Sequence, residues 1–324
     1  MLFRSPGSQI VANDNLITSS YIKRMPSMGW KTFSYIKCSH CDTLNIYPYT
    51  GELNNSFDKC SQCGVEFDSA PDKFIIPEYG FIADGSKVKK PGLKRPERTY
   101  SGEVSYVGSH AANIENIFTI GNSNIRVITN HNDEMAILNT SPFYVCDTCG
   151  YTEVNNKHFM KNMKKSHKNA SGYKCSNENL TKISLGYRFL TDVTRIQFLD
   201  NQFESWDVAY SVLQALLRGI CHCLNIKEGD ISGCLQTIID NNGFNWEIVI
   251  FDNTPGGSGY AKMLNNEDTI FMVLKYTMSI MNRCSCGGDE KDSSCYACLR
   301  SYKNQKYHSV LKRKYVIDFL SEIL

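Results

Sequence analysis

The chain has 324 residues, 42% of them hydrophobic and 21% charged, with a net charge of +2. That length holds one large or two ordinary domains with a genuine core, and so small a charge excess does not by itself advertise nucleic acid, so any such surface is a local patch. No run nears the roughly 18 apolar residues of a membrane helix, and residues 1–22 lack the apolar core of a signal peptide. Most of the fourteen cysteines sit in close pairs and therefore read as metal ligands in a cytoplasmic protein rather than as disulfides.

Residues 1–34 form an N-terminal arm, broken by Pro6 and Pro26, with Trp30 and Phe33 leading into the first cysteines. Cys38-x-x-Cys41 and Cys60-x-x-Cys63 are separated by eighteen residues. That is the spacing of a zinc ribbon, in which two knuckles share one ion, and it assigns a ribbon to residues 35–80. Gly64 suits the tight knuckle turn, and His40 reads as a surface residue. A redox Cys-x-x-Cys is the alternative, against which two pairs at ribbon spacing argue. Residues 81–142 make a linker and a small β region. Lys87–Arg98 is rich in charge, proline and glycine and is either a solvated loop or a phosphate-contacting segment through Lys89, Lys90, Lys94 and Arg95. The alternation in Glu103–Val107 and Asn124–Ile128 predicts half-buried antiparallel strands.

Phe143–Val145 is a strand running into a knuckle at Cys146 and Cys149. No second Cys-x-x-Cys follows at ribbon distance, so His158, His167 and Cys175 are the candidate remaining ligands. His167 and Cys175 are favoured because they lie close together around a Gly172 turn, whereas His158 sits in a lysine-rich run that reads as helical; a knuckle without metal is the alternative. Lys157, Lys161, Lys164, Lys165 and Lys168 make this insert basic, a second candidate nucleic-acid patch in which Lys164 and Lys165 are the residues chosen. Ile183–Phe198 reads as one or two strands interrupted at Thr191-Asp192. Asp207 then caps an amphipathic helix with an apolar stripe from Val208 to Leu224. Cys221, Cys223 and Cys234 have no partners at ligand spacing and are assigned to the core.

The stretch that organises the chain comes next. Glu247–Asp252 reads as a buried strand, Pro255–Gly259 as a glycine-rich turn, and Glu267–Met281 as a helix that delivers Cys284 and Cys286. Cys295 and Cys298 complete four thiolates able to close a tetrahedral zinc site. A final helix lies within Leu299–Leu324, basic at its start through Lys312, Arg313 and Lys314. The glycine turn either forms an anion-binding nest or lets the backbone approach the cysteine cluster or the Asp207 helix closely. The sum is an α+β chain: an N-terminal zinc ribbon with a small antiparallel sheet, then a mixed strand and helix zinc-binding domain.

Phe251-Asp252-Asn253-Thr254-Pro255-Gly256-Gly257-Ser258-Gly259-Tyr260, the cysteines at 284, 286, 295 and 298, and Leu299-Arg300-Ser301-Tyr302-Lys303-Asn304-Gln305 with His308, Leu311 and Arg313 carry a resemblance. They resemble the zinc-binding domain at the C-terminus of mitomycin-repair-type superfamily 2 helicases, also found in the DrmB subunit of DISARM phage defence. The resemblance covers residues 143–324, and it implies that Cys284, Cys286, Cys295 and Cys298 form the family's zinc site. It further implies a non-catalytic, zinc-binding accessory subunit of a helicase complex in prokaryotic phage defence or DNA repair, contacting a superfamily 2 helicase and DNA. The 324 residues contain no Gly-x-x-x-x-Gly-Lys-Ser/Thr phosphate loop, so the motor is expected on a separate polypeptide, as in DISARM-type systems. The competing reading is a metal-dependent nuclease or hydrolase using Asp192, Asp252 or His308. Four clustered cysteines describe a closed metal site rather than an open catalytic one, and Asp252 before a glycine turn is better placed to bind turn amides. Three zinc ions per chain are expected, one for each cluster.

Overall fold

The structure, a computed structural model, describes residues 5–25, 28–49, 58–85, 88–92, 96, 102–108, 112–139, 141–154, 162–240 and 243–324. It opens with the hairpin β1 (Gln9–Ala12) and β2 (Asn15–Ile22). Asn13 and Asp14 at its two-residue turn both take positive φ, 47° and 56°, the conformation whose twist suits a tight hairpin and which Asn and Asp tolerate. The ribbon strands follow: β3 (Lys31–Lys37), β4 (Leu44–Pro48) and β5 (Asp72–Ile76). Next come β6 (Phe81–Ala83), which pairs with β2, then β7 (Gly102–Tyr106), β8 (Ile114–Ile120) and β9 (Ser123–Asn139).

After β10 (Phe143–Val145), β11 (Thr152–Glu153) and β12 (Asn162–Lys164) comes the strand on which the sheet is built, β13 (Asn179–Phe198). Its first half meets β10, β12 and, in parallel, β5. Its second half lies between β9 and β15 (Gly243–Asp252), and β15 is the outgoing arm of a hairpin with β14 (Ile231–Asp240). With both edges paired and both faces covered, residues 191–196 are all buried. The interruption expected at Thr191-Asp192 is a bulge between Thr191 and Val193, so one continuous strand stands there rather than two. A bulge leaves an extra residue unpaired without ending the ladder.

Three helices cover one face: α1 (Trp206–Leu224), α2 (Glu267–Arg283) and α3 (Arg313–Ile323). Ile125, Val127, Ile196 and Phe198 from the strands pack with Leu213 and Leu216 of α1, Val273 of α2 and Leu320 of α3 in the largest core. On the opposite face Tyr106, Met135, Val193, Val249 and Phe251 form a second cluster. The cap of α1 is Ser205, whose side chain accepts from the Val208 amide, and not Asp207, which sits inside the first turn. Both residue types cap helices; the extended backbone of Ser205 (φ −158°, ψ 165°) places its hydroxyl there. The α+β reading holds, and the ribbon strands belong to the same sheet as the C-terminal module because β5 lies beside β13. Among the described residues no helix is long and apolar enough to cross a membrane.

One expectation changes in the basic segments. Residues 162–164 of the lysine-rich insert form a strand, not a helix, because they complete the edge of β13; Lys157, His158 and Lys161 lie outside the described residues. In the linker, Lys89 bridges to Leu16 through its backbone, Lys90 is exposed, and Lys94 and Arg95 lie outside the described residues.

Candidate metal centres

Two knuckles build the first cluster. Cys38 follows β3 and Cys41 precedes β4; the Asp42 amide donates to the Cys38 carbonyl and the Cys38 amide to the Thr43 carbonyl. The second knuckle repeats the pattern, with Gly64 donating to Cys60 and Cys60 to Val65, and Gly64 takes a φ of +70° that favours glycine. Cys38 Sγ lies 3.6 Å from Cys63 Sγ, and Cys41 Sγ 3.5 Å from Cys60 Sγ. Asn45, 3% exposed, ties the knuckles together: its Oδ1 accepts from the Ser61 amide at 2.9 Å and its Nδ2 donates to the Thr43 carbonyl. Sequence reasoning missed Asn45, since a lone asparagine in a strand carries no spacing signal.

The second cluster joins Cys146, Cys149, His167 and Cys175. Cys146 and Cys175 sulfurs are 3.9 Å apart, and Cys149 Sγ is 3.2 Å from His167 Nε2. His167 Nδ1 donates to the Lys165 carbonyl at 2.8 Å, which leaves the Nε2 lone pair for a cation, as metal-binding histidines require. Tyr151 stacks on the His167 ring at 4.6 Å.

The third cluster grows from the end of α2. Cys284 is its C-cap, and the chain turns back through Gly287 at φ +79°. Cys295–Cys298 is a knuckle in which the Cys295 carbonyl accepts from Cys298, Leu299 and Arg300, and the Cys295 amide points at Cys298 Sγ, 3.2 Å away. Sulfur separations run from 3.4 Å between Cys284 and Cys286 to 3.8 Å between Cys295 and Cys298. Arg313 was expected among the basic residues that open the last helix; it is instead 3% exposed and laces this loop, donating to the Met281 and Cys286 carbonyls at 2.8 Å. A guanidinium with several fixed donors suits that role where a lysine would not.

In each cluster all four ligand atoms lie within 4.8 Å of one another. A tetrahedral zinc with metal–sulfur arms of about 2.3 Å has sulfur–sulfur edges of about 3.8 Å, which these separations approach. The cysteines are free thiols. Burial pushes Cys41 and Cys149 up to about 12. At Cys60 and Cys295 burial acts the same way, but knuckle amides and neighbouring groups outweigh it and hold both down to about 7. A bound cation supplies the compensation the remaining thiolates need. The donor sets, sulfur-rich and closed, fit zinc at all three positions.

The residues considered for catalysis are committed elsewhere. Asp252 accepts from the Ser258 and Ala261 amides at 2.6 and 2.9 Å, holding the glycine turn. Asp192, its side chain 3% exposed, pairs with His131 at 3.0 Å and Lys262 at 3.1 Å. Gly257 (φ +81°) passes so close to Asp192 that an added Cβ would overlap its carboxylate; the close approach of this turn is thus to Asp192, not to the cysteines or α1. His308 Nε2 sits 3.1 Å from the Ser301 carbonyl and 3.0 Å from Asn304 Oδ1. Cys221 and Cys234 are buried, and among the described residues neither they nor Cys223 joins a metal-sized group. Of the candidate phosphate contacts in the insert, Lys164 is exposed and Lys165 pairs with Glu153 at 2.7 Å.

Residues 212–299 match the family of the MrfA Zn-binding domain, a span from α1 through the last knuckle. The chain is similar to the Druantia protein DruE of Escherichia coli (strain UMEA 4076-1), 24% identical over 319 residues covering 86% of this chain and 16% of DruE. Among solved structures it is similar to the DUF1998 helicase MrfA bound to DNA (10% identity, TM-score 0.37, covering 73% of this chain and 27% of that one). A second MrfA structure, with DNA and AMPPNP, aligns at 9% identity and a TM-score of 0.30, covering 72% and 23%. The chain thus spans less than a third of each relative's length. The resemblance read from the sequence to a helicase-associated zinc-binding domain is borne out.

Proposed function

We propose that this chain, which carries a MrfA-type zinc-binding domain, is a non-catalytic, zinc-stabilised accessory subunit that works beside a superfamily 2 helicase motor on DNA, in prokaryotic phage defence or DNA repair. The observation that carries this reading is the set of three closed four-ligand clusters, built into one sheet and its helical cover. Each is assigned one zinc: Cys38, Cys41, Cys60 and Cys63; Cys146, Cys149, His167 and Cys175; Cys284, Cys286, Cys295 and Cys298. A closed tetrahedral site holds shape and leaves no position for substrate or water. The structural bonds of Asp192, Asp252 and His308 weigh against the hydrolase alternative. Similarity to the Druantia protein DruE supports placing the chain with defence machinery. Residues 143–324 act as the helicase-associated module, and residues 35–80 as a ribbon fixed to its sheet. Lys89, Lys90, Lys94, Arg95, Lys164 and Lys165 add salt-dependent phosphate contacts, Lys165 least because of Glu153.

The test supplies a superfamily 2 helicase from the same source in trans. Stable co-purification, and DNA-stimulated ATP hydrolysis or DNA affinity that shifts on adding the zinc-loaded chain, are expected. Metal-dependent DNA cleavage by the chain alone, lost in Asp252→Ala or His308→Ala with zinc content intact, would overturn the accessory reading in favour of an enzyme.

A further inference from the structure

Beside the third cluster, α1, β14 and the loop 295–307 enclose an open groove of about 610 Å³. One wall is aromatic. Trp206 and Tyr210 stack at 4.6 Å with their planes 9° apart, and Tyr307 stands against both, 5.2 and 4.8 Å away. Tyr296 and Tyr302, also in the lining, are 54% and 74% exposed, their rings 6.3 Å apart. Gly229, Ser232 and Gly233 also line the groove.

Cations interleave these rings. Lys303 and Lys306 are exposed on the rim; Lys303 Nζ is 3.4 Å from Ser232 Oγ, and Lys306 lies over the Tyr307 ring at 5.0 Å. Arg300 lines the groove and donates to Ser294. Arg218 is structural: it binds the Tyr296 and Arg300 carbonyls at 3.0 and 2.8 Å and pairs with Glu228. Glu228 and Glu103 are the acids of the lining, so cations outnumber them four to two.

The exposed rings sit on a rigid frame. Tyr296 lies within the Cys295–Cys298 knuckle. Asn304, 2% exposed, donates to Gln214 and to the Leu299 carbonyl and accepts from the Ser301 amide, which fixes the loop carrying Tyr302 and Tyr307. Large aromatic faces held open to water on a clamped loop mark a recognition surface, and flat rings alternating with lysines match the alternation of bases and phosphates in an unpaired strand. A duplex keeps its base faces stacked inside and cannot use them.

We propose that this groove binds a single-stranded nucleic acid, with bases stacked on Tyr302 and Tyr296 and the backbone following Lys303 and Lys306. This rests on the nucleic-acid part of the proposed function and is independent of the motor. The third zinc, by setting the knuckle that carries Tyr296, holds one wall of the groove.

The experiment is fluorescence anisotropy of labelled oligothymidylate and oligouridylate with the full zinc-loaded chain, with a duplex of mixed sequence as comparison. Tyr302→Ala should weaken single-strand binding by about tenfold, within the range for removal of a base–aromatic stack, and Tyr302→Phe should retain it. Duplex affinity should not move with either. Lys303→Gln with Lys306→Gln should flatten the salt dependence of single-strand binding by roughly 0.7 for each phosphate that is no longer neutralised, while Tyr302→Ala leaves that slope in place. Zinc content and thermal unfolding of each variant establish that it is folded. Wild-type affinity for both oligonucleotides in a folded Tyr296→Ala/Tyr302→Ala variant overturns the groove. So does single-strand binding that responds only to Lys89, Lys90 or Lys164; in that case the proposed function stands without the groove.

Discussion

The first and third cysteine clusters have the same chemistry and opposite surroundings. Around Cys38, Cys41 and Cys60 the apolar company among the described residues is Phe67 and the fourth cysteine. Cys298 and Leu299, by contrast, are members of the largest core, with Leu216, Val273 and Leu320. A ribbon of this kind has too little buried surface to hold its knuckles without metal, so its zinc takes the place of a core. At the third cluster the zinc pins one corner of a core that already exists. Loss of metal should therefore be local at one end of the chain and general at the other.

The largest expected effect tests that contrast directly. Wild-type protein should carry close to three zinc ions. Cys298→Ser places a polar atom at a fully buried position and removes a ligand, so the protein should lose one zinc and its helical layer should melt at a markedly lower temperature. Cys41→Ser should also lose one zinc, but rapid hydrogen exchange should be confined to residues 31–48 and 58–76, with the main transition nearly in place. Metal analysis paired with exchange measurements reads both; a shared global collapse in the two variants would erase the distinction.

Next in size is the ion pair beneath the sheet. Arg195 and Glu247 are 3.4 Å apart with side chains 6% and 1% exposed, and Gln197 donates to Glu247 at 2.7 Å. Glu247→Ala takes the carboxylate from a buried guanidinium, so it should destabilise the protein by about 3–5 kcal/mol in chemical denaturation. Because this pair lies on β13 and β15 and reaches the first knuckle only through Gln236, the cross-strand partner of Glu247, the ribbon zinc should be retained in the folded variant; its loss would show that the ribbon depends on the central sheet more than its thin apolar surroundings imply.

What was legible in advance follows from what has a period or a spacing. Paired thiols have one, and the structure gathers the ligands named from it together with His167 and Cys175, which were chosen for their proximity around Gly172 and against His158 in its lysine-rich run. The amphipathic stripes placed α1 and α2. Single polar residues have no such signal. Asn45 and Arg313 each hold a metal loop through backbone carbonyls and amides, yet in the sequence one is a strand asparagine and the other a helix-start basic residue. Ser205 and Asp207 compete as caps by residue type, and only the backbone angle decides. The parallel contact of β5 with β13 joins residues more than 100 positions apart, and no local pattern encodes it. The groove aromatics are scattered between Trp206 and Tyr307, so they become neighbours only when α1 packs beside the last knuckle.

That long-range pairing leads to the smallest effect and the finest test of the comparison. Gln236 on β14 is 5% exposed and donates to the Thr43 hydroxyl at 2.8 Å, while His40 packs edge-on against Phe244 at 4.7 Å. The first knuckle thus rests on the β14–β15 hairpin of the C-terminal module. If the ribbon is held chiefly by its own zinc, this contact only orients it. Gln236→Leu and Thr43→Val should then each lower stability by about 1 kcal/mol, and because they share one bond the double variant should cost less than the sum. Zinc release from the first site, followed with a chromogenic chelator, should accelerate in both single variants, with the third site unaffected. Strict additivity of the two substitutions, or unchanged release from the first site, would mean that the ribbon does not use this contact.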